Sequence, residues 1–112
     1  MGLLEKLFGP KVPEMTPQEV AQAMKEGRVV VVDIRDARAY AQGHIAGGRH
    51  VPALHKEIAS MPKDKPIVVV CRSGRRSIGA ARLLMREGFS SVYSMRGGMR
   101  AWERDGLPVE RD

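Results

Sequence analysis

Seven consecutive residues, Cys71-Arg72-Ser73-Gly74-Arg75-Arg76-Ser77, hold the chain's single cysteine and three of its arginines. Sulfur beside fixed positive charge suggests a nucleophile, because the thiolate attacks where the thiol does not and neighbouring guanidinium groups favour the ionised form. Gly74 lets the backbone turn back on itself, so that successive N–H groups can converge on one centre. The segment therefore reads as an anion cradle with Cys71 at its base. The alternative is an inert core thiol, since a free cysteine packs as a small hydrophobe. Three arginines around a neutral buried thiol would lack partners, whereas around a thiolate or an oxyanion they have them.

The flanking residues place this segment at the edge of a sheet. Four apolar β-branched residues, 67–70, follow Pro66 and predict a buried strand of a parallel sheet. Residues 78–87 are rich in Ala, Leu, Met and Arg and stop at Gly88, which predicts a helix. Cys71 then ends a strand and faces a helix N-terminus. Open α/β sheets bind ligands at that edge, and the unpaired N–H groups of a helix start favour an anion there.

Upstream, Thr16-Pro17-Gln18-Glu19 has the pattern of a capping box, opening a helix with Val20, Ala21 and Met24 on its apolar face and Gly27 as its stop. A second buried strand is expected over 29–32, with Asp33 and Arg35 at its C-terminal end. Residues 37–42 suggest one or two turns of helix ended by Gly43; 47–52 a turn and a short strand closed by Pro52; 53–59 a brief helix. Another strand is expected over 91–95 and a last helix over 99–105, stopped by Gly106 and Pro108. Strands alternating with helices over 112 residues imply one α/β domain with a mainly parallel sheet.

A single cysteine excludes an internal disulfide and points to a reducing, cytoplasmic setting. The start of the chain lacks the long apolar core of a secretory signal, has Lys6 where a myristoylation pattern needs Ser or Thr, and no run is long enough to span a membrane. Leu3, Leu4, Leu7 and Phe8 form one apolar helical face before Gly9-Pro10; packing on the domain or disorder is expected ahead of membrane attachment. Charge is uneven: of a formal net +6, residues 67–104 carry eight arginines against two glutamates and no lysine. With five aromatics in the chain and none interleaved with a basic stripe, small anionic substrates fit better than nucleic acid. His44, His50 and His55 lack zinc spacing and no phosphate-binding glycine motif is present, so neither metal nor cofactor is expected. Asp33 has the chemistry of a general acid, but an acid at a strand end more often anchors a loop. His44, between Gly43 and Ile45, reads as a histidine held by hydrogen bonds.

These blocks together resemble a single-domain rhodanese-like protein. The resemblance rests on Val-Val-Asp33-Ile-Arg35, Tyr40-Ala-Gln-Gly43-His44-Ile45-Ala-Gly47-Gly48, Val51-Pro52, the Cys71–Ser77 segment, Gly88-Phe89, Gly97-Gly98, Ala101-Trp102 and Gly106-Leu107-Pro108-Val109. It covers residues 12–109, making 12–112 the domain and 1–11 a short extension. One departure stands out: Ala39 occupies a place where the family commonly has Glu, which removes the usual ionic support of Arg35 and leaves Asp36 or another acid to substitute.

The resemblance implies about five mainly parallel strands flanked by helices on both faces. It also implies a sulfurtransferase in which Cys71 takes sulfane sulfur from thiosulfate or a similar donor and becomes a persulfide. Backbone N–H groups from Arg72 to Arg76 would stabilise that charge, Arg72, Arg75 and Arg76 would orient the donor, and Ser73, Gly74 and Ser77 would complete the binding loop, with Ser77 bonding the sulfur from below. Asp33, Arg35 and His44 would be its structural support. With one cysteine, an outside thiol, cyanide or a protein acceptor must remove the sulfur, in ping-pong order. The alternatives are a persulfide carrier or partner-binding module without free-standing turnover, and, further off, a phosphatase or arsenate reductase. The last two need Cys-x5-Arg, and here Arg76 closes Cys-x4-Arg while position 77 is Ser.

Overall fold

The structure, a computed structural model, describes residues 2–112. In chain order it comprises α1 (Leu3–Phe8), β1 (Glu14–Met15), α2 (Pro17–Lys25), β2 (Val30–Asp33), α3 (Ala37–Gln42), β3 (Arg49–His50), β4 (Ile67–Val70), α4 (Arg76–Arg86), β5 (Val92–Met95) and α5 (Gly98–Arg104). The five strands form one sheet in the order β1-β5-β4-β2-β3, every pair parallel. β4 is central and wholly buried, as a β-branched run without polar alternation requires.

Side chains alternate across the sheet and split the core in two. Val32, Ile67, Val69 and Cys71 face Ala81 and Leu84 of α4, while Val31, Val68 and Val70 face Val20 of α2 and Met99 and Trp102 of α5. Cys71 thus inherits the α4 side from the register of β4. The capping box is present: Glu19 N–H donates to Thr16 Oγ1 at 3.2 Å and Thr16 N–H to Glu19 Oε1 at 2.8 Å. Ala23 is buried beside Val20 on that helix, with Ala21 and Met24 half-buried.

Three elements differ from expectation. β1 joins the sheet edge against β5, a two-residue strand too short to show a period. Residues 53–59 give two separate 3-10 turns, Leu54–Lys56 and Ile58–Ser60, neither with a side-chain cap to extend it. At the other end, α1 is helical, and its Leu3, Leu4 and Leu7 are 72, 71 and 65% exposed. Gly9 and Pro10 break the chain directly after it, and Arg82 Nε holds the Pro10 carbonyl at 3.0 Å. Among the described residues no helix is long and apolar enough to cross a membrane, and no group of three or more His, Cys, Asp or Glu is placed to hold a metal ion.

Candidate active site

Cys71 is the first residue after β4 and is 1% exposed, at the floor of the loop joining β4 to α4. Gly74 N–H donates to Sγ at 3.1 Å and Ser77 N–H at 3.3 Å, and Ser77 Oγ lies 3.3 Å away. Because α4 begins at Arg76, Ser77 sits in its first turn, where backbone N–H groups have no helical partner and are free for the sulfur. Burial pushes the Cys71 thiol up; the Ser77 hydroxyl and the N–H groups of Ser77, Gly74 and Ser73 outweigh it and hold the thiol below its ordinary value.

The other side of the loop is fastened to α5. Met99 N–H donates to the Cys71 carbonyl and Arg100 N–H to the Arg72 carbonyl, both at 2.9 Å. With these carbonyls engaged at the rear, the following N–H groups are left to face the sulfur. Two glycines permit this approach. Gly74, at φ +89, would bring a Cβ to 2.8 Å from Gly97 N, and Gly98, at φ +59, would bring one to 2.5 Å from the carbonyl oxygens of both Cys71 and Arg72.

The arginines of the loop are on its solvent side. Arg72, Arg75 and Arg76 are exposed, and the groups that chiefly lower the thiol are the Ser77 hydroxyl and the backbone N–H groups of Ser77, Gly74 and Ser73. Arg72 lines a cleft of about 350 Å³ shared with Arg35, Gly43, Arg100 and Glu103, which Cys71 does not line. None of Arg72, Arg75, Arg76 and Arg100 forms an ion pair among the described residues. The loop's electrostatics therefore come from neutral donors, with the guanidinium groups kept at the rim. Within the run from Arg72 to Arg76 the N–H groups of Ser73 and Gly74 lower the thiol, joined by that of Ser77 just beyond it.

Asp33, Arg35 and His44 form a second cluster at the end of β2. Arg35 donates from Nη2 to Asp33 Oδ2 at 2.8 Å and from Nε to Oδ1 at 3.0 Å, both residues being buried. Nη2 also reaches the Gly43 carbonyl at 2.8 Å and Nη1 the Ala39 carbonyl at 3.3 Å. Asp33 thus supplies the countercharge, and at position 39 a backbone carbonyl serves where a side-chain carboxylate is absent. Asp36 instead caps α3 through Ala39 N–H at 2.8 Å. His44 donates from Nδ1 to the Tyr40 carbonyl at 2.8 Å, and His50 from Nε2 to the Arg35 carbonyl at 2.7 Å, since a carbonyl can only accept. Both rings stack on Tyr40, with centroids 3.9 and 4.2 Å apart.

Ser94 escaped the sequence reading. It is fully buried in β5, and its Oγ lies 2.7 Å from Ser77 Oγ. Its one signal was a polar residue inside an apolar strand, Val92-Tyr93-Ser94-Met95.

Comparison with known proteins agrees with this geometry. The model of the rhodanese-like domain matches residues 16–105. A thiosulfate sulfurtransferase GlpE of Pseudomonas fluorescens is 48% identical over 96 residues, 84% of this chain and 87% of that protein. Among solved structures, a rhodanese-related protein from Thermoplasma volcanium superposes with a TM-score of 0.82 at 24% identity, over 89% of this chain and 99% of that one. A Rhodopseudomonas palustris protein described as a possible tyrosine phosphatase superposes at 0.77 and 29% identity, over 88% and 85%. With a family model spanning most of its length and a relative at 48% identity, this chain belongs to the rhodanese-like domain family.

Proposed function

We propose that this protein is a thiosulfate sulfurtransferase that works through a persulfide on Cys71. The Cys71 thiolate attacks the sulfane sulfur of thiosulfate, forming the Sγ–S bond as the S–S bond of thiosulfate breaks and sulfite leaves with its electron pair. Cyanide or an external thiolate then attacks the outer sulfur, the Sγ–S bond breaks, and the thiolate returns. Charge balances in each half without a proton transfer. The observation that carries this reading is the ring of N–H donors and the Ser77 hydroxyl around a lowered Cys71 thiol. Arg75 and Arg76, exposed at the rim, attract and orient the dianionic donor, and Arg72 extends that field toward α5.

The six-residue Cys-x4-Arg ring favours sulfur over phosphate, which needs three oxygens cradled at once. Residues 12–112 are the working domain, with 1–11 an extension to it. A cytoplasmic setting suits a nucleophile that must stay reduced. Mass spectrometry before and after thiosulfate should show one added sulfur atom on Cys71, removed by cyanide as thiocyanate over many turnovers. A chain that loads but never turns over with small acceptors would be a carrier instead. Hydrolysis of an aryl phosphate at a rate matching thiosulfate turnover would replace the reading with a phosphatase.

A further inference from the structure

Ser94 lies beside the catalytic loop because of strand register. β4 and β5 pair with Val69 opposite Ser94, so Ser94 projects on the same side of the sheet as Val69 and Cys71, beneath the first turn of α4 where Ser77 sits. Both serines are fully buried. This side of the sheet carries Ile67, Val69, Ala81, Leu84 and Val92, an apolar cluster in which two hydroxyls are unfavourable unless hydrogen-bonded. Sγ, Ser77 Oγ and Ser94 Oγ form a chain of 3.3 and 2.7 Å links that ends at Ser94.

Counting hydrogens along this chain shows which state of the sulfur it suits. With a thiolate, Ser94 O–H donates to Ser77 and Ser77 O–H donates to Sγ, so two hydrogens fill two links. With a thiol there are three hydrogens for the same two links: S–H donates to Ser77, Ser77 O–H donates to Ser94, and the Ser94 hydroxyl hydrogen has no acceptor among the described residues. In the persulfide the charge has moved to the outer sulfur, and the divalent Sγ left behind is a weak acceptor. The chain is matched to the anion at Sγ alone.

We propose that Ser94 is a positioning residue for sulfur transfer: acting through Ser77, it stabilises Cys71 as the thiolate over the persulfide and so speeds the departure of Sγ when an acceptor takes the outer sulfur. This rests on the sulfurtransferase reading above. In the acceptor half-reaction the nucleophile bonds to the outer sulfur while the Sγ–S bond breaks, and its electron pair goes to Sγ, where the Ser94–Ser77 chain points its hydrogens. Lower basicity makes a sulfur a better leaving group and a weaker nucleophile. Ser94 therefore acts on the two half-reactions in opposite senses.

The test measures each half-reaction separately in the full-length protein, by quenching and mass spectrometry at a pH where Cys71 is fully ionised. For Ser94→Ala, discharge of the persulfide to cyanide should slow about three- to tenfold, while loading by thiosulfate should be unchanged or faster. Alkylation of Cys71 against pH should show its midpoint moved up in Ser94→Ala. In a Ser77→Ala background, adding Ser94→Ala should have no further effect on any of these, and Ser94→Thr, which keeps the hydroxyl, should restore the parent behaviour. Equal slowing of both half-reactions, or a Ser94→Ala effect of the same size with and without Ser77, would overturn the proposal. The alkylation comparison needs no sulfur transfer, so it still decides the link through Ser77 if the unmodified protein fails to load, a result that would count against the sulfurtransferase reading.

Discussion

Two neighbouring strand ends of one parallel sheet bury a charge-bearing group and treat it in opposite ways. At the end of β2 the buried Arg35 guanidinium is neutralised by Asp33 and also donates to the Gly43 and Ala39 carbonyls. At the end of β4 no charged group is bonded to the buried sulfur among the described residues; neutral N–H and O–H groups hold it, and the loop's arginines are exposed. A buried charge matched at contact by its counter-ion is held in place by it. A charge held by dipoles alone stays available to react, because a dipole lowers the energy of an anion without binding it as a salt. Keeping Arg72, Arg75 and Arg76 at the rim leaves them to act on the incoming anion.

That contrast can be broken most completely at the sulfur. Cys71→Ser should reduce sulfur transfer to background and abolish persulfide formation in the mass spectrum, with the fold retained by circular dichroism. Asp33→Ala should do the reverse. It leaves the Arg35 charge buried and unpaired, costing about 3–5 kcal/mol in chemical denaturation, while folded molecules still ionise Cys71 below the ordinary thiol range. Altering the loop itself falls between the two. Gly74→Ala forces a Cβ against Gly97 N at a φ of +89, which should cost about 1–3 kcal/mol and raise the alkylation midpoint of Cys71. Inserting one Gly after Gly74 moves Arg76 to the Cys-x5-Arg position and should exchange sulfur transfer for measurable affinity toward phosphate or arsenate.

Smaller effects sharpen the division of labour. Arg75→Ala and Arg76→Ala should each raise the KM for thiosulfate roughly fivefold, more at low salt, and change stability by no more than about 0.5 kcal/mol. Neither should move the Cys71 titration, which follows from neutral donors and would shift upward if the arginines held the thiolate. The sign of the pH dependence follows from the same donors. The folded thiol lies below the unfolded value of about 8.5, so the stability it contributes is fully present above that value and is lost as pH falls through the folded one. Alkylation rate and unfolding free energy should both decline over that interval.

The sequence carried the backbone of this arrangement further than its electrostatics. Pro66 and four β-branched residues announced β4, and Thr16 with Glu19 announced α2, because strand burial and helix capping are written in adjacent residues. Where a long side chain points is not. Arginines next to Cys71 in sequence lie at the rim in space, and Asp33 rather than Asp36 serves Arg35, since a choice between two acids three residues apart depends on the turn between them. Ser94 was out of reach for the same reason: its partner is seventeen residues away and meets it only through the register of β4 and β5. The leucines of α1, outside the matched residues 16–105, are part of an amphipathic pattern yet stand exposed, since periodicity alone does not say what a face meets.

The glycines behind the catalytic loop also decide how this sequence can drift. At Gly74 and Gly98 the atoms that would obstruct a side chain are backbone nitrogen and carbonyl oxygen. A library of single substitutions selected for full sulfur transfer should therefore be depleted at both, and second-site changes should restore little, because there is no neighbouring side chain to trim. Gly97 is the informative exception. Its obstruction is the Ala101 Cβ, at 2.6 Å. Ala101→Gly removes the steric half of that constraint and leaves only the positive φ, so suppressors of Gly97 substitutions should gather at position 101 and those of its two neighbours nowhere.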